Sequence, residues 1–138
     1  MDDLAKALNA CYLHEMTLVV RYLNVSIRVD GLDRFHLAEF FKESAGESMG
    51  HAEKMGAVML GLGMAPQGKV TEDLGDAPEG AEKMLERALH DERAAVEAYS
   101  KAIPLAKNDL ALRETLVHIL KEERAGLDEL KLLLKKRD

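Results

Sequence analysis

Apolar residues recur every three or four positions through four long stretches of the chain, and Gly or Pro interrupts the pattern between them. That spacing is the period of an α-helix with one buried face. The first stretch runs from about Asp3 to Arg28 and stops at Asp30-Gly31; the second starts near Asp33 and reaches Leu62, ahead of Gly63 and Pro66. A third runs from about Pro78 to Ile103 and is cut by Pro104. The fourth starts near Asn108, a good N-cap, and continues almost to the end. Short turns join the first stretch to the second and the third to the fourth, which predicts two antiparallel hairpins.

Between the hairpins lie about 14 residues, Met64 to Ala77, rich in Gly, Pro and Asp. A helix of about 26 residues is roughly 39 Å long, so a connection of this length must be extended to span it. The expected fold is therefore all-α, one domain over residues 1–138. Its long crossover between helices two and three is the arrangement of ferritin-like four-helix bundles.

The polar residues that fall on the inward stripes carry the chemistry. The first stripe reads Leu4, Leu8, Cys11, Glu15, Leu18, Tyr22, Val25, with Glu15 among apolar neighbours. The third reads Leu85, Leu89, Glu92, Val96, Tyr99, Ile103, and the fourth Leu116, Ile119, Glu123, Leu127, Leu130, Leu134. The second reads Leu37, Phe40, Ser44, Glu47, His51, Met55, Val58, Leu62 and places Glu47 and His51 on consecutive turns of the same face. A single glutamate on an apolar stripe is ordinarily a boundary residue, and a single histidine a satisfied core residue. Here each helix carries an acid near its middle, where the helices of an antiparallel bundle meet at one level.

Burying an unpaired carboxylate costs several kcal/mol at least, so such groups are protonated, paired or given a metal. Four glutamates and an imidazole repel or compete unless a cation sits among them. Carboxylate with imidazole suits iron or manganese, and zinc also binds such sets. Glu15, Glu47, His51, Glu92 and Glu123 are thus the candidate ligands, with iron the expected cofactor.

Composition narrows the setting. Tryptophan is absent, aromatic residues are 4%, and charged residues make up 32% of a chain with net charge −6. That balance argues against nucleic-acid binding, which needs clustered Lys and Arg. The C-terminal Lys131, Lys135, Lys136 and Arg137 read as cations favouring a helix C-terminus. No apolar run is long enough to span a bilayer, and Met1-Asp2-Asp3 lacks the basic start of a signal peptide. A lone cysteine, Cys11, makes no internal disulfide, so a cytoplasmic setting is expected. The other histidines, His14, His36, His90 and His118, are assigned to the surface or the helix boundaries. No nucleotide-binding glycine motif is present.

Several segments resemble those of bacterioferritins over nearly the whole chain. They are Glu15-Met16 with Tyr22, Glu43-Ser44 through His51-Ala52, Gly63-Met64-Ala65-Pro66, Met84-Leu85 with Glu92 and Ala102-Ile103, and Ile119-Leu120-Lys121-Glu122-Glu123. The resemblance implies Fe(II) oxidation at a di-iron centre by oxygen or hydrogen peroxide, iron storage or detoxification, and homo-oligomers. It implies metal ligands at Glu15, His51, Glu92 and Glu123, and haem ligation between two subunits at Met49, which Gly46 and Gly50 flank. The pattern departs at two ligand positions. Ser48 stands where the family has its bridging glutamate, with Glu47 one residue earlier, and Gly126 stands where it has a second histidine. The family's short fifth helix has no counterpart after Lys135-Lys136-Arg137-Asp138, so the expected homo-oligomer is a dimer or larger, with a dimer or smaller ring as an alternative to a cage. Two rival readings follow: a rubrerythrin-like peroxide reductase without the usual cysteine-ligated iron domain, and a metal-free assembly module that has kept only the bundle.

Overall fold

The computed structural model describes residues 2–74 and 80–135. Four helices form the fold: α1 (Asp3–Arg28), α2 (Arg34–Gly61), α3 (Ala81–Leu105) and α4 (Leu110–Leu134). Their ends follow local chemistry. The Asp2 carboxylate accepts from the Ala5 amide at 2.7 Å and caps α1. Asp109, not Asn108, caps α4, accepting from the Leu112 amide at 3.1 Å. Pro104 does not end α3, because the ring falls in the last turn and removes a single backbone donor; the helix closes at Leu105. The start expected at Pro78 lies outside the described residues, and Gly80 is the N-cap of α3.

The buried side chains form two apolar clusters. One gathers Leu18, Tyr22 and Val25 of α1, Leu37 and Phe41 of α2, Leu85 of α3 and Leu130 of α4. The other gathers Leu8 and Cys11 of α1, Met55 and Met59 of α2, Tyr99 and Ala102 of α3, and Leu116 and Ile119 of α4. The order in which each helix passes the clusters gives its direction. α2 and α3 traverse them in one sense, α1 and α4 in the other. Parallel α2 and α3 cannot be joined by a tight turn, which is why the chain needs the long crossover.

The second helix corrects the sequence expectation. Its buried face is Leu37, Phe41, Ala45, Ser48, His51, Ala52, Met55 and Met59, so Phe40, Ser44 and Val58 are only partly covered and Leu62 is exposed. Apolar residues stand side by side at 40 and 41 and at 58 and 59, so the pattern on α2 supports two stripes one position apart. Packing settles the choice: the Phe41 ring lies 5.8 Å from that of Tyr22.

The crossover is fastened by polar contacts. Asn9 donates to the Gln67 carbonyl at 2.9 Å and accepts from the Gln67 amide at 3.0 Å. Gly68 has φ of 118°, a backbone conformation that favours glycine, and a Cβ there would come within 2.9 Å of Leu13 Cδ1, so the leucine tip would also have to shift. Arg21 of α1 pairs with Glu72 of the crossover and Asp91 of α3, each at 2.5 Å, and Arg87 joins Glu72 at 3.1 Å. Burial works against the Arg21 charge, but the hydrogen bonds to Glu72 and Asp91 outweigh it and raise the guanidinium pKa. Arg21→Leu would leave buried Asp91 without its cation and Glu72 with Arg87 alone, and is expected to destabilise the chain by about 3 kcal/mol. A urea midpoint showing a loss below about 1 kcal/mol, the range of surface pairs, would show that the network does not hold the crossover.

Candidate metal centre

The polar layer lies between the two apolar clusters. Glu15, His51, Glu92 and Glu123 come from α1, α2, α3 and α4 in turn, and each is buried, with exposures of 0, 4, 8 and 3%. Mid-helix position on each stripe places them at one level. His51 Nδ1 lies 2.9 Å from Glu15 Oε2 and 2.9 Å from Glu123 Oε1. One donor atom from each of these three residues falls within 4.8 Å of the others, a spacing that one cation can span.

Two tyrosines support the carboxylates. Tyr99 donates to Glu15 Oε2 at 2.9 Å, and Tyr22 donates to Glu92 Oε1 at 3.0 Å. Burial and the neighbouring acids raise both phenols well above their ordinary range, so both stay protonated donors. After these contacts, Glu15 Oε1, Glu92 Oε2 and His51 Nε2 are buried without a hydrogen-bond partner. Unmet donors or acceptors of this kind are costly in a finished core.

Burial also sets the protonation of the layer. It pushes Glu92 up to about 9, helped by the hydrogen bond and charge of Glu123. Glu123 is raised too, by burial above all, with His51 and Glu92 opposing through hydrogen bonds. Burial alone would lower His51, but hydrogen bonds to Glu123 and Glu15 outweigh it and carry the imidazole up to about 10. Without a cation, the layer lowers its charge by retaining protons. Cys11, one turn from Glu15, is pushed up to about 12 by burial and the adjacent acids, so it is an inert core thiol.

The structure brings together Glu15, His51, Glu92 and Glu123 as the sequence predicts, but not Glu47. That side chain is 48% exposed and stands at the rim, with Oε1 3.9 Å from His51 Nε2. The inward position belongs to Ser48, 4% exposed. Ser48, Glu92, Glu123 and Gly126 help line a cavity of about 200 Å³. A Cβ built on Gly126 would meet Glu92 Oε2 at 3.7 Å, an ordinary contact, so the cavity has room for a side chain that the sequence does not supply. Met49 is 51% exposed on the outer side of α2, and among the described residues no other part of the structure comes within 4 Å of a Cβ added at Gly46 or Gly50, their own helix backbone and chain neighbours apart.

One residue escaped the sequence reading, and two others make contacts that it did not specify. Asp91 is buried beside Glu92 and holds Arg21, a pairing across 70 residues that no local pattern reveals. Glu122 reaches the site from next to Glu123, with Oε2 3.6 Å from His51 Nε2. His118, assigned to the surface, is 62% exposed but bonds Glu122 at 2.8 Å. Its one-turn spacing from Glu122 was the available signal. His14 faces the Asp91 carbonyl at 3.1 Å, His36 packs edge-on to Phe35, and His90 is exposed.

Comparison with known proteins agrees with this geometry. The family profile described as "Ferritin-like domain" matches residues 5–138. A solved ferritin-like, diiron-carboxylate protein from Bacillus anthracis str. Ames is 26% identical, with a TM-score of 0.88, over 98% of this chain and 100% of that one. Dps from Staphylococcus aureus is 22% identical, with a TM-score of 0.89, over 98% and 97%. Antigen TpF1 from Treponema pallidum is 15% identical, with a TM-score of 0.90, over 96% and 92%. The last two likenesses show the fold alone. No functionally curated protein matches the chain. With its crossover topology, its buried acids around one imidazole and a family match over nearly its full length, the chain belongs to the ferritin-like domain family.

Proposed function

We propose that this protein binds Fe(II) as a substrate at Glu15, His51 and Glu123, with Glu92 alongside, and oxidises it with oxygen or hydrogen peroxide. The pair of 2.9 Å contacts that brings carboxylates from α1 and α4 onto one imidazole nitrogen of α2 carries the reading. The donor set fits the ion: hard carboxylates with one imidazole suit iron or manganese, and zinc also. The unpartnered Glu15 Oε1 and Glu92 Oε2 are further acceptors for it. Iron supplies the redox change. The chain supplies negative charge, which favours Fe(III) over Fe(II), and two phenols that orient Glu15 and Glu92. No helix among the described residues is long and apolar enough to cross a membrane.

Within the family, the reading is bacterioferritin-like, on the motifs around Glu15, His51 and Glu123. Exposed Val20, Leu23 and Ile27 form an outward apolar stripe on α1 that a second copy would cover, which supports a homo-oligomer. Exposed Met49 would then be the place for haem between copies. Ser48 and Gly126 favour a second reading for the iron itself, a single ion instead of a pair. A second ion would find only Glu92 and the far side of Glu123 among the buried carboxylates that line the cavity.

Glu15→Ala with Glu92→Ala is expected to weaken metal binding by more than about 100-fold. Unchanged metal content in that double variant, by elemental analysis, would sink the proposal. Gly126→His is expected to raise bound iron per chain and speed Fe(II) oxidation, because position 126 borders the cavity beside Glu92 and Glu123 and a Cβ there makes only ordinary contacts; an unchanged stoichiometry would mean that the missing ligand is not what limits the site.

The pH dependence follows from protons held more tightly in the folded state than in the unfolded one. The contributions of His51 and Glu92 are complete below their ordinary values of 6.5 and 4.5, and are lost as pH rises through about 10 and about 9. Chelated protein should therefore melt at lower temperature as pH is raised from about 5 to about 9, and Glu92→Gln should flatten that fall. A bound cation displaces the same protons, so Zn(II) should stabilise the fold more at higher pH within this range. A chelated melting temperature as steep in Glu92→Gln as in the native chain would contradict the proton assigned to Glu92.

A further inference from the structure

His51 offers its two nitrogens to two separate pairs of carboxylates. Nδ1 faces Glu15 and Glu123, both buried between the helices. Nε2 faces the rim, 3.6 Å from Glu122 Oε2 and 3.9 Å from Glu47 Oε1. It has no hydrogen-bond partner, although the residue is only 4% exposed. Donor atoms of Glu47, His51 and Glu122 lie within 4.8 Å of one another. Glu122 is held in place from outside, since its other oxygen accepts from His118 Nε2 at 2.8 Å. The rim carboxylates are solvent-facing, 48% exposed at Glu47 and 37% at Glu122, whereas the side chains of Glu15 and Glu123 are 0% and 4% exposed.

We propose that Glu47, Glu122 and His51 Nε2 form an outer site for a divalent cation, and that it shares the His51 ring with the inner site so that the ring serves one cation at a time. This deepens the cation-binding reading above and rests on it. A neutral imidazole has one lone pair. While the inner position is empty, Glu15 and Glu123 both hold the Nδ1 proton, so Nε2, which points at the rim, is the nitrogen free to exchange its proton for a cation. A cation arriving from solvent meets the exposed pair first and takes Nε2, displacing any proton there to water. A cation at the inner position takes Nδ1 instead, and the remaining ring proton moves to Nε2, where Glu47 and Glu122 attract it. The outer site is thus a loading position for the inner one. It also gives Glu47 a role that its outward position denies it in the buried layer.

Zn(II) is the probe, with isotope-labelled histidine to report which nitrogen of His51 ligates. Glu15→Gln with Glu123→Gln should bind Zn(II) through Nε2; Glu47→Gln with Glu122→Gln should bind it through Nδ1. Saturated native protein should show Nδ1 ligation only. A folded inner-site variant that leaves His51 unligated, or ligates through Nδ1, overturns the outer site. If native protein shows no ligation at either nitrogen, the cation-binding reading fails as a whole, which is a separate outcome. Because the inner-site variant alters buried residues, binding rates give an independent check. Glu47→Gln with Glu122→Gln, both at the rim, should slow Zn(II) association by about tenfold, the scale of electrostatic capture. An unchanged rate overturns the loading role.

Discussion

A belt of ionisable groups runs through the middle of an otherwise apolar bundle, and the rest of the structure has to accommodate it. Glu15, His51, Glu92 and Glu123 lose nearly all contact with water, and they do so at one level. In a medium of low polarity, charges this close cannot all persist without compensation. The chain answers in two ways. Retained protons on Glu92 and His51 lower and balance the charge, and the two tyrosines satisfy one carboxylate oxygen each. What is left over is one oxygen each on Glu15 and Glu92, open to a cation within the belt, and His51 Nε2, which faces the rim.

The apolar clusters on either side make that belt rigid. Leu18, Tyr22 and Phe41 close it at one end, and Cys11, Met55, Leu116 and Ile119 at the other. Each acid therefore sits between packed turns of its own helix, and its position follows from the register of the whole bundle. The Arg21 network adds a second polar anchor outside the belt, tying α1, α3 and the crossover together through Glu72 and Asp91. Asp91 adjoins Glu92 in sequence, so the contact that holds the crossover also fixes the turn of α3 that presents Glu92.

Within the belt, the two faces of His51 are unequal. The inner face meets two buried carboxylates at hydrogen-bonding distance, and the outer face meets two exposed ones at longer range. Ser48 and Gly126 remove bulk and charge from the third side, where the 200 Å³ cavity lies. Compared with a symmetric pair of cation positions, the result is graded: one well-furnished position, an open space beside it, and a rim facing solvent.

How much of this was legible in the sequence depends on whether a residue's surroundings are local. The helices, the crossover and the inward acids of α1, α3 and α4 follow from apolar spacing, because a helix of fixed period puts residues three and four apart on one face. Glu15, Glu92 and Glu123 each stand on a single well-defined stripe, so the sequence by itself determined that they would be buried. On α2, adjacent apolar residues at 40 and 41 and at 58 and 59 left two stripes open, and only packing against Tyr22 and its neighbours chose the one that buries Ser48 and turns Glu47 to the rim. The same holds for Arg21 with Asp91, Tyr99 with Glu15, and the division of His51 between inner and outer carboxylates. These pairs join residues 70, 84 and 72 positions apart, as in Arg21–Asp91, Tyr99–Glu15 and His51–Glu123. Periodicity constrains which face a side chain occupies, but which partner meets it there is decided only when the four helices dock.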